Sequence, residues 1–180
     1  MPLLSLLLFI FISFFLPSAA NAQTGNTSTG TDALDSVTTG DYNSAFGNSA
    51  LNKNTEGSNN TGSGYKALYS NTEGNYNTAS GGYALYANTT GNDNTASGYK
   101  ALFSNTTGDY NAASGGFALQ GNTTGNYNTA SGYETLFSNT SGDANAASGY
   151  RALYSNTTGG NNAASGGYAL YSNTTGDYNA

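Results

Sequence analysis

A leucine returns every 17 residues, at Leu34, Leu51, Leu68, Leu85, Leu102, Leu119, Leu136, Leu153 and Leu170, without one insertion or deletion. An alanine precedes each of them except Leu136, which follows Thr135. A fixed short period is the mark of a solenoid, in which each unit is one coil stacked on the next. Aligned on the leucine, four further columns are invariant in all nine copies. They are a first glycine (Gly30 to Gly166), a threonine (Thr38 to Thr174), a second glycine (Gly40 to Gly176) and an asparagine three residues later. That asparagine column is Asn43, Asn60, Asn77, Asn94, Asn111, Asn128, Asn145, Asn162 and Asn179. The recurrence reports a geometry that every coil must satisfy.

Such a stack offers rows of equivalent residues, whereas a catalytic pocket needs a few non-equivalent ones converging on a point. The chain contains no Cys and no His. That excludes a disulfide framework, a thiolate nucleophile, an imidazole base and zinc sites built from those ligands. No enzyme activity, metal or cofactor is expected. Only 8% of residues are charged, and the formal net charge is -6. Four basic residues cannot neutralise a run of phosphates, so nucleic acid is not an expected partner. By composition alone the chain reads as a polar linker, but the strict period and 15 Tyr with 8 Phe argue for order.

Residues 1–22 are a separate object. An apolar run from Leu3 to Leu16 is followed by Pro17 and the small-residue stretch Ala19-Ala20-Asn21-Ala22. This predicts a secretory signal peptide cleaved after Ala22, with Gln23 beginning the mature protein. The run is shorter than the roughly 20 residues of a membrane span, so a secreted protein with no later span is expected. Residues 23–29 then form a short linker, and 30–180 the repeat array, which stops in mid-coil at Asn179-Ala180.

A 17-residue unit is too short for two helices and a turn, and two glycines per unit break any helix. The pattern predicts an all-β fold, a parallel β-solenoid of nine coils. Asn77 to Gly81 and its equivalents read as one strand, and the Tyr-x-Ala-Leu-Tyr stretch as a second. Ser104 to Asp109 reads as the corner, with Gly and Asn expected to take positive φ there.

Three rows then stand out as candidate sites. The Asn43–Asn179 column reads as a structural turn or stacked amide ladder, in preference to calcium binding through Gly-Asp-Tyr-Asn. Tyr69, Tyr86, Phe103, Phe137, Tyr154 and Tyr171 share one column, which predicts a stripe of rings serving as an interchain face or a carbohydrate-binding stripe. One leucine and a few small residues per coil bury little apolar area, which favours self-association, a trimer or a fibre, along that stripe. Asn-x-Ser/Thr sequons recur once per coil at Asn88, Asn105, Asn122, Asn139, Asn156 and Asn173. They are candidate glycosylation positions, although Asn-Thr-Thr-Gly also suits corner chemistry.

The fragment Asp109-Tyr-Asn-Ala-Ala-Ser-Gly-Gly-Phe-Ala-Leu119 resembles the head repeats of YadA-like trimeric autotransporter adhesins and the related repeats of tail-fibre-type surface proteins. The resemblance covers about residues 30 to 180 and implies a parallel β-roll whose three chains pack together, used for attachment. The unit here is longer. Family positions that hold Val and Ile carry Thr or Ala and Ser, as at Thr78 and Ser80. The expected function is an extracellular structural or adhesive fibre protein at the cell surface, whose partners are itself and surface glycans or other cells. The alternatives are a coat subunit with one Asn-linked glycan per coil and, less favoured, an ice-binding protein using the threonine row.

Overall fold

The computed structural model describes residues 24–180, so the predicted signal peptide and its cleavage site lie outside the described residues. Each repeat contributes one three-residue strand. These are β1 (Thr27–Thr29), β2 (Ser44–Phe46), β3 (Thr61–Ser63), β4 (Thr78–Ser80), β5 (Thr95–Ser97), β6 (Ala112–Ser114), β7 (Thr129–Ser131), β8 (Ala146–Ser148) and β9 (Ala163–Ser165). They form one parallel sheet in sequence order, and the register never slips: Thr78 pairs with Thr95, and Thr95 with Ala112. With rungs about 4.8 Å apart, the eight steps from β1 to β9 make a rod roughly 40 Å long. The chain is a parallel β-solenoid with one coil per 17 residues.

From β4 onward, the middle residue of each strand is an alanine buried in the coil, and its two neighbours face outward. The expected strand over Asn77 to Gly81 is therefore present as its central three residues. The expected second strand is not. Tyr-x-Ala-Leu-Tyr is a run of turns in which the residue before the alanine and the leucine itself both have positive φ, for example Lys66 at 54° and Leu68 at 53°. The stretch still stacks in a ladder, because its amides pair between coils: Leu102 N–H donates to Ala118 O at 3.0 Å and Lys100 N–H to Gly82 O at 3.0 Å. Sequence alternation of apolar residues signalled burial there, but a closed coil this small must bend at the leucine rather than extend.

The left-handed region costs an L-residue about 1–2 kcal/mol. Burying a leucine contributes about 1.5–3 kcal/mol, and Leu51 through Leu153 are fully buried within the single chain. From Leu51 to Leu153, burial thus offsets the leucine's own share of the bend. The rest of the core is alanine, in the strand column and before each leucine, together with two columns of asparagine.

The expected corner chemistry also needs correcting. Neither the second glycine nor the asparagines of Ser104 to Asp109 take positive φ. Gly108 is glycine for space: a Cβ there would meet Asn105 Oδ1 and Gly125 O, both at 2.5 Å. The first glycine does require its conformation. Gly98 has φ 138°, and a Cβ on it would also meet Gly115 O at 2.5 Å.

Candidate binding surface

Two asparagine ladders run the length of the rod inside it. In the Asn43–Asn179 column, each Oδ1 accepts from the next coil, as Asn94 Oδ1 does from Asn111 N–H at 3.0 Å and Asn111 Nδ2 at 3.1 Å. The second ladder is formed by the sequon asparagines themselves: Asn105 Nδ2 donates to Asn88 Oδ1 at 2.8 Å, and Asn122 Nδ2 to Asn105 Oδ1 at 2.8 Å. The two ladders meet at the second glycine, whose carbonyl accepts from both. Gly108 O takes Asn94 Nδ2 at 2.8 Å and Asn105 Nδ2 at 2.9 Å. Among the described residues, no buried side-chain nitrogen or oxygen lacks a partner, which is what makes a core this polar tolerable.

This geometry removes the glycosylation reading of Asn88, Asn105, Asn122, Asn139 and Asn156. Their side chains are fully buried and their Nδ2 atoms donate inside the ladder. A glycan on Nδ2 would have to displace the next coil. Asn173, in the last coil, is only partly buried, but its Nδ2 donates to Asn156 Oδ1 and Gly176 O in the same way. The ladder requires the Asn and Gly of Asn-Thr-x-Gly, whose third position is Glu56 and Glu73 in two coils that keep the same bonds.

The threonine row is also committed to the rod. Thr106 Oγ1 donates to Thr123 O at 3.0 Å, and the same bond repeats from Thr38 to Thr157. The column after the second glycine forms a third polar ladder. Asn92 N–H donates to Asp109 Oδ1 at 2.6 Å, and Asp109 N–H to Asn126 Oδ1 at 2.8 Å. The Asp109 oxygen that a calcium site would use therefore accepts a backbone amide. No group of three or more carboxylates, His or Cys converges among the described residues.

With the polar rows turned inward, the aromatic residues stand outside a core that is already closed. The predicted column stacks face to face: Tyr69–Tyr86 at 5.3 Å, Tyr86–Phe103 at 5.1 Å, Phe137–Tyr154 at 5.0 Å and Tyr154–Tyr171 at 5.2 Å between centroids. Gln120 interrupts it. A second series, not anticipated from the sequence, bridges the gap. Tyr65, Tyr83, Tyr99, Phe117, Tyr133, Tyr150 and Tyr168 follow one another in ring contact at 5.1 to 6.2 Å, mostly edge to face. Tyr83 and Tyr168 join the two series through Tyr86 and Tyr171.

The second series has a signal in the sequence, at twice the coil period. Gly64-Tyr65-Lys66 and Gly98-Tyr99-Lys100 alternate with Gly81-Gly82-Tyr83 and Gly115-Gly116-Phe117. Where one coil carries the ring just after the first glycine, the next carries glycine there and a ring one residue on. Gly116 leaves room for its neighbour, since a Cβ on it would sit 3.4 Å from Tyr133. The alternation changes at Tyr133-Glu134 and Tyr150-Arg151, where the rings stack directly. There Arg151 Nε donates to Glu134 Oε2 at 2.5 Å.

All four basic side chains lie on this aromatic face. Lys66 Nζ sits 5.4 Å from the centroid of Tyr65 and 5.3 Å from that of Tyr69, and Lys100 Nζ 5.5 Å from Tyr99 and 5.3 Å from Phe103. Arg151 spans Tyr150 and Tyr154 in the same way, and Lys53 lies 5.1 Å from Tyr69. These are cation–π geometries. The neighbouring Tyr65 phenol pushes the Lys66 ammonium above its ordinary pKa. Burial against adjacent rings pushes the Tyr83 and Tyr150 phenols up.

Fold and surface together define a solenoid repeat protein with one continuous ring-lined face, a sparser exposed row from Tyr42 to Tyr178 in which Tyr110 and Tyr127 stack at 5.0 Å, and no catalytic constellation among the described residues. Compared with protein-family models, curated proteins and solved structures, the chain matches none. Its class therefore rests on the coil geometry itself.

Proposed function

We propose that this protein is a non-catalytic, extracellular adhesive rod whose aromatic face makes the contact with other surfaces. The observation that carries the reading is a continuous row of half-exposed rings on a coil whose core closes without them. Away from the two ends, the leucines, the alanines of the strand centres and those before the leucines, and both asparagine ladders are buried within one chain. The rings are therefore not needed to close the core of one chain, which leaves them available to a partner, a second copy of the chain included. Exposed aromatic patches of this extent mark interaction sites. The apolar start of the sequence and the resemblance to adhesin head repeats favour export and attachment.

Two measurements test this. The full chain expressed in a secretion-competent host should appear in the medium with Gln23 as its first residue, and retention inside the cell would remove the extracellular part. Purified protein should also be retained on plates coated with cellulose or polygalacturonate. The variant Tyr86→Ser, Phe103→Ser, Phe137→Ser should keep its β-type circular dichroism yet lose that retention. Unaltered retention would show that the face is not the contact surface. Loss of the fold would show that the rings belong to the structure.

A further inference from the structure

The charge of the rod is divided between its faces. From the second coil onward the aromatic face carries Lys53, Lys66, Lys100 and Arg151, which are all the cations in the chain, and a single carboxylate, Glu134, bonded to Arg151. Asp32 and Asp35 belong to the first coil, before the rings begin. The seven remaining carboxylates, such as Glu56, Glu73 and Asp109, belong to the columns around the second glycine, which carry a separate exposed set of tyrosines, Tyr42, Tyr76, Tyr110, Tyr127 and Tyr178, and no cation. An acidic protein has thus placed every positive charge along one line of aromatic rings, and three of the four have no carboxylate partner.

We infer that the aromatic face is a track for a linear acidic polysaccharide, its pyranose rings lying against the outward, half-exposed parts of the tyrosine and phenylalanine rings and its carboxylate or sulfate groups on Lys53, Lys66, Lys100 and Arg151. The inference rests on the adhesive reading above and adds to it the chemical class of the ligand. Three features of the face favour this occupant. From Tyr65 to Phe117 the ring pattern repeats every two coils, roughly 10 Å from the rung spacing, and Lys66 and Lys100 share that interval, which suits a polymer with a disaccharide repeat better than a globular epitope. The apolar CH faces of a sugar ring complement the exposed apolar surface of the ring row. The cations are held over rings at the track and so are positioned before a ligand arrives, which lowers the ordering cost of binding. A neutral glycan would use the rings and leave the cations without a purpose. A nucleic acid would meet more repulsion from the rest of this acidic rod than four cations offset.

The test compares polygalacturonate with the same polymer after methyl esterification, which keeps the sugar backbone and removes its charge. Binding is read by interferometry on immobilised full-length protein. The protein is expected to prefer the acidic form by about tenfold, the sum of a few exposed ion pairs, and raised salt should erase the preference. Dextran sulfate against dextran shows whether sulfate serves as well as uronate. The variant Lys53→Gln, Lys66→Gln, Lys100→Gln leaves the Arg151–Glu134 pair and every ring in place. It should lose most of the preference while its β-type circular dichroism and its binding to the esterified polymer stay unchanged. Equal affinity for both forms would overturn the acidic assignment and leave the adhesive reading standing. Binding to neither form would remove glycans altogether. Salt-sensitive association of the rod with itself that disappears in the lysine variant would assign the face to the acidic side of a second copy instead.

Discussion

At the scale of single residues, the fold is a compromise between backbone conformation and burial. Three non-glycine positions per coil lie in the left-handed region: the residue before the alanine, the leucine, and the column running from Tyr42 to Tyr178. The leucine offsets its strain by burial, as argued above. The third column has less to offset it with, being mostly exposed, and several coils place Asn59, Asp93 or Asn161 there, residues that tolerate this region. Ala144, at φ 55° and exposed, has neither a short polar side chain nor burial. Replacing Ala144 with Gly is expected to raise stability by about 0.5–1 kcal/mol, the relief of strain exceeding the added freedom of the unfolded chain. Chemical denaturation checks this, and a lower midpoint would show that the methyl contributes more than its strain costs.

At the scale of the element, the coil is held by amide ladders as much as by its apolar column. Asn105 donates to Asn88 Oδ1 and Gly108 O and accepts from Asn122 Nδ2. Asn105→Ala would leave Asn88 Oδ1 buried without this donor and weaken the next rung. The expected cost is about 2–4 kcal/mol, from an orphaned buried acceptor plus lost bonds. The neighbouring Ser104→Ala, partly exposed, should stay within about 0.5 kcal/mol of the parent. Equal effects at the two sites, measured by urea unfolding, would show that the ladder is incidental. The ladder also explains why a polar, glycine-rich sequence folds: each coil completes the bonding of its buried amides through the coils above and below.

At the scale of the whole rod, stability is expected to be cooperative along the stack and to fall in alkali. The Lys66 ammonium and the Tyr83 and Tyr150 phenols bind their protons more tightly in the folded chain, each pKa lying above its ordinary value of 10.5 for the lysine and 10.0 for the tyrosines. A group whose folded pKa is raised contributes stability that is complete below its unfolded pKa and disappears as pH rises through the folded one. Melting temperature should therefore be level through neutral pH and drop above about pH 10. In the variant Lys66→Gln, Tyr83→Phe the drop should be shallower. An identical alkaline profile in that variant would assign the transition to other groups.

The period, the parallel stacking and the leucine core were legible in the sequence, because a repeat that never slips admits one register and one apolar column per coil admits one interior. The alternation of Gly-Tyr-Lys with Gly-Gly-Tyr was equally legible but becomes meaningful only when successive coils are superposed. What the tertiary structure alone decided was the fate of the ambiguous rows. Local pattern could not say whether Asn88 and its equivalents face water as glycan acceptors or face inward as a ladder, since Asn-Thr-Thr-Gly serves both. Nor could it say that Tyr-x-Ala-Leu-Tyr would bend rather than extend, because φ at a buried leucine is set by closing a 17-residue loop on itself. Closure of that loop is a property of the whole coil. It places the asparagines inside, and it leaves the rings and the four cations together on the outside.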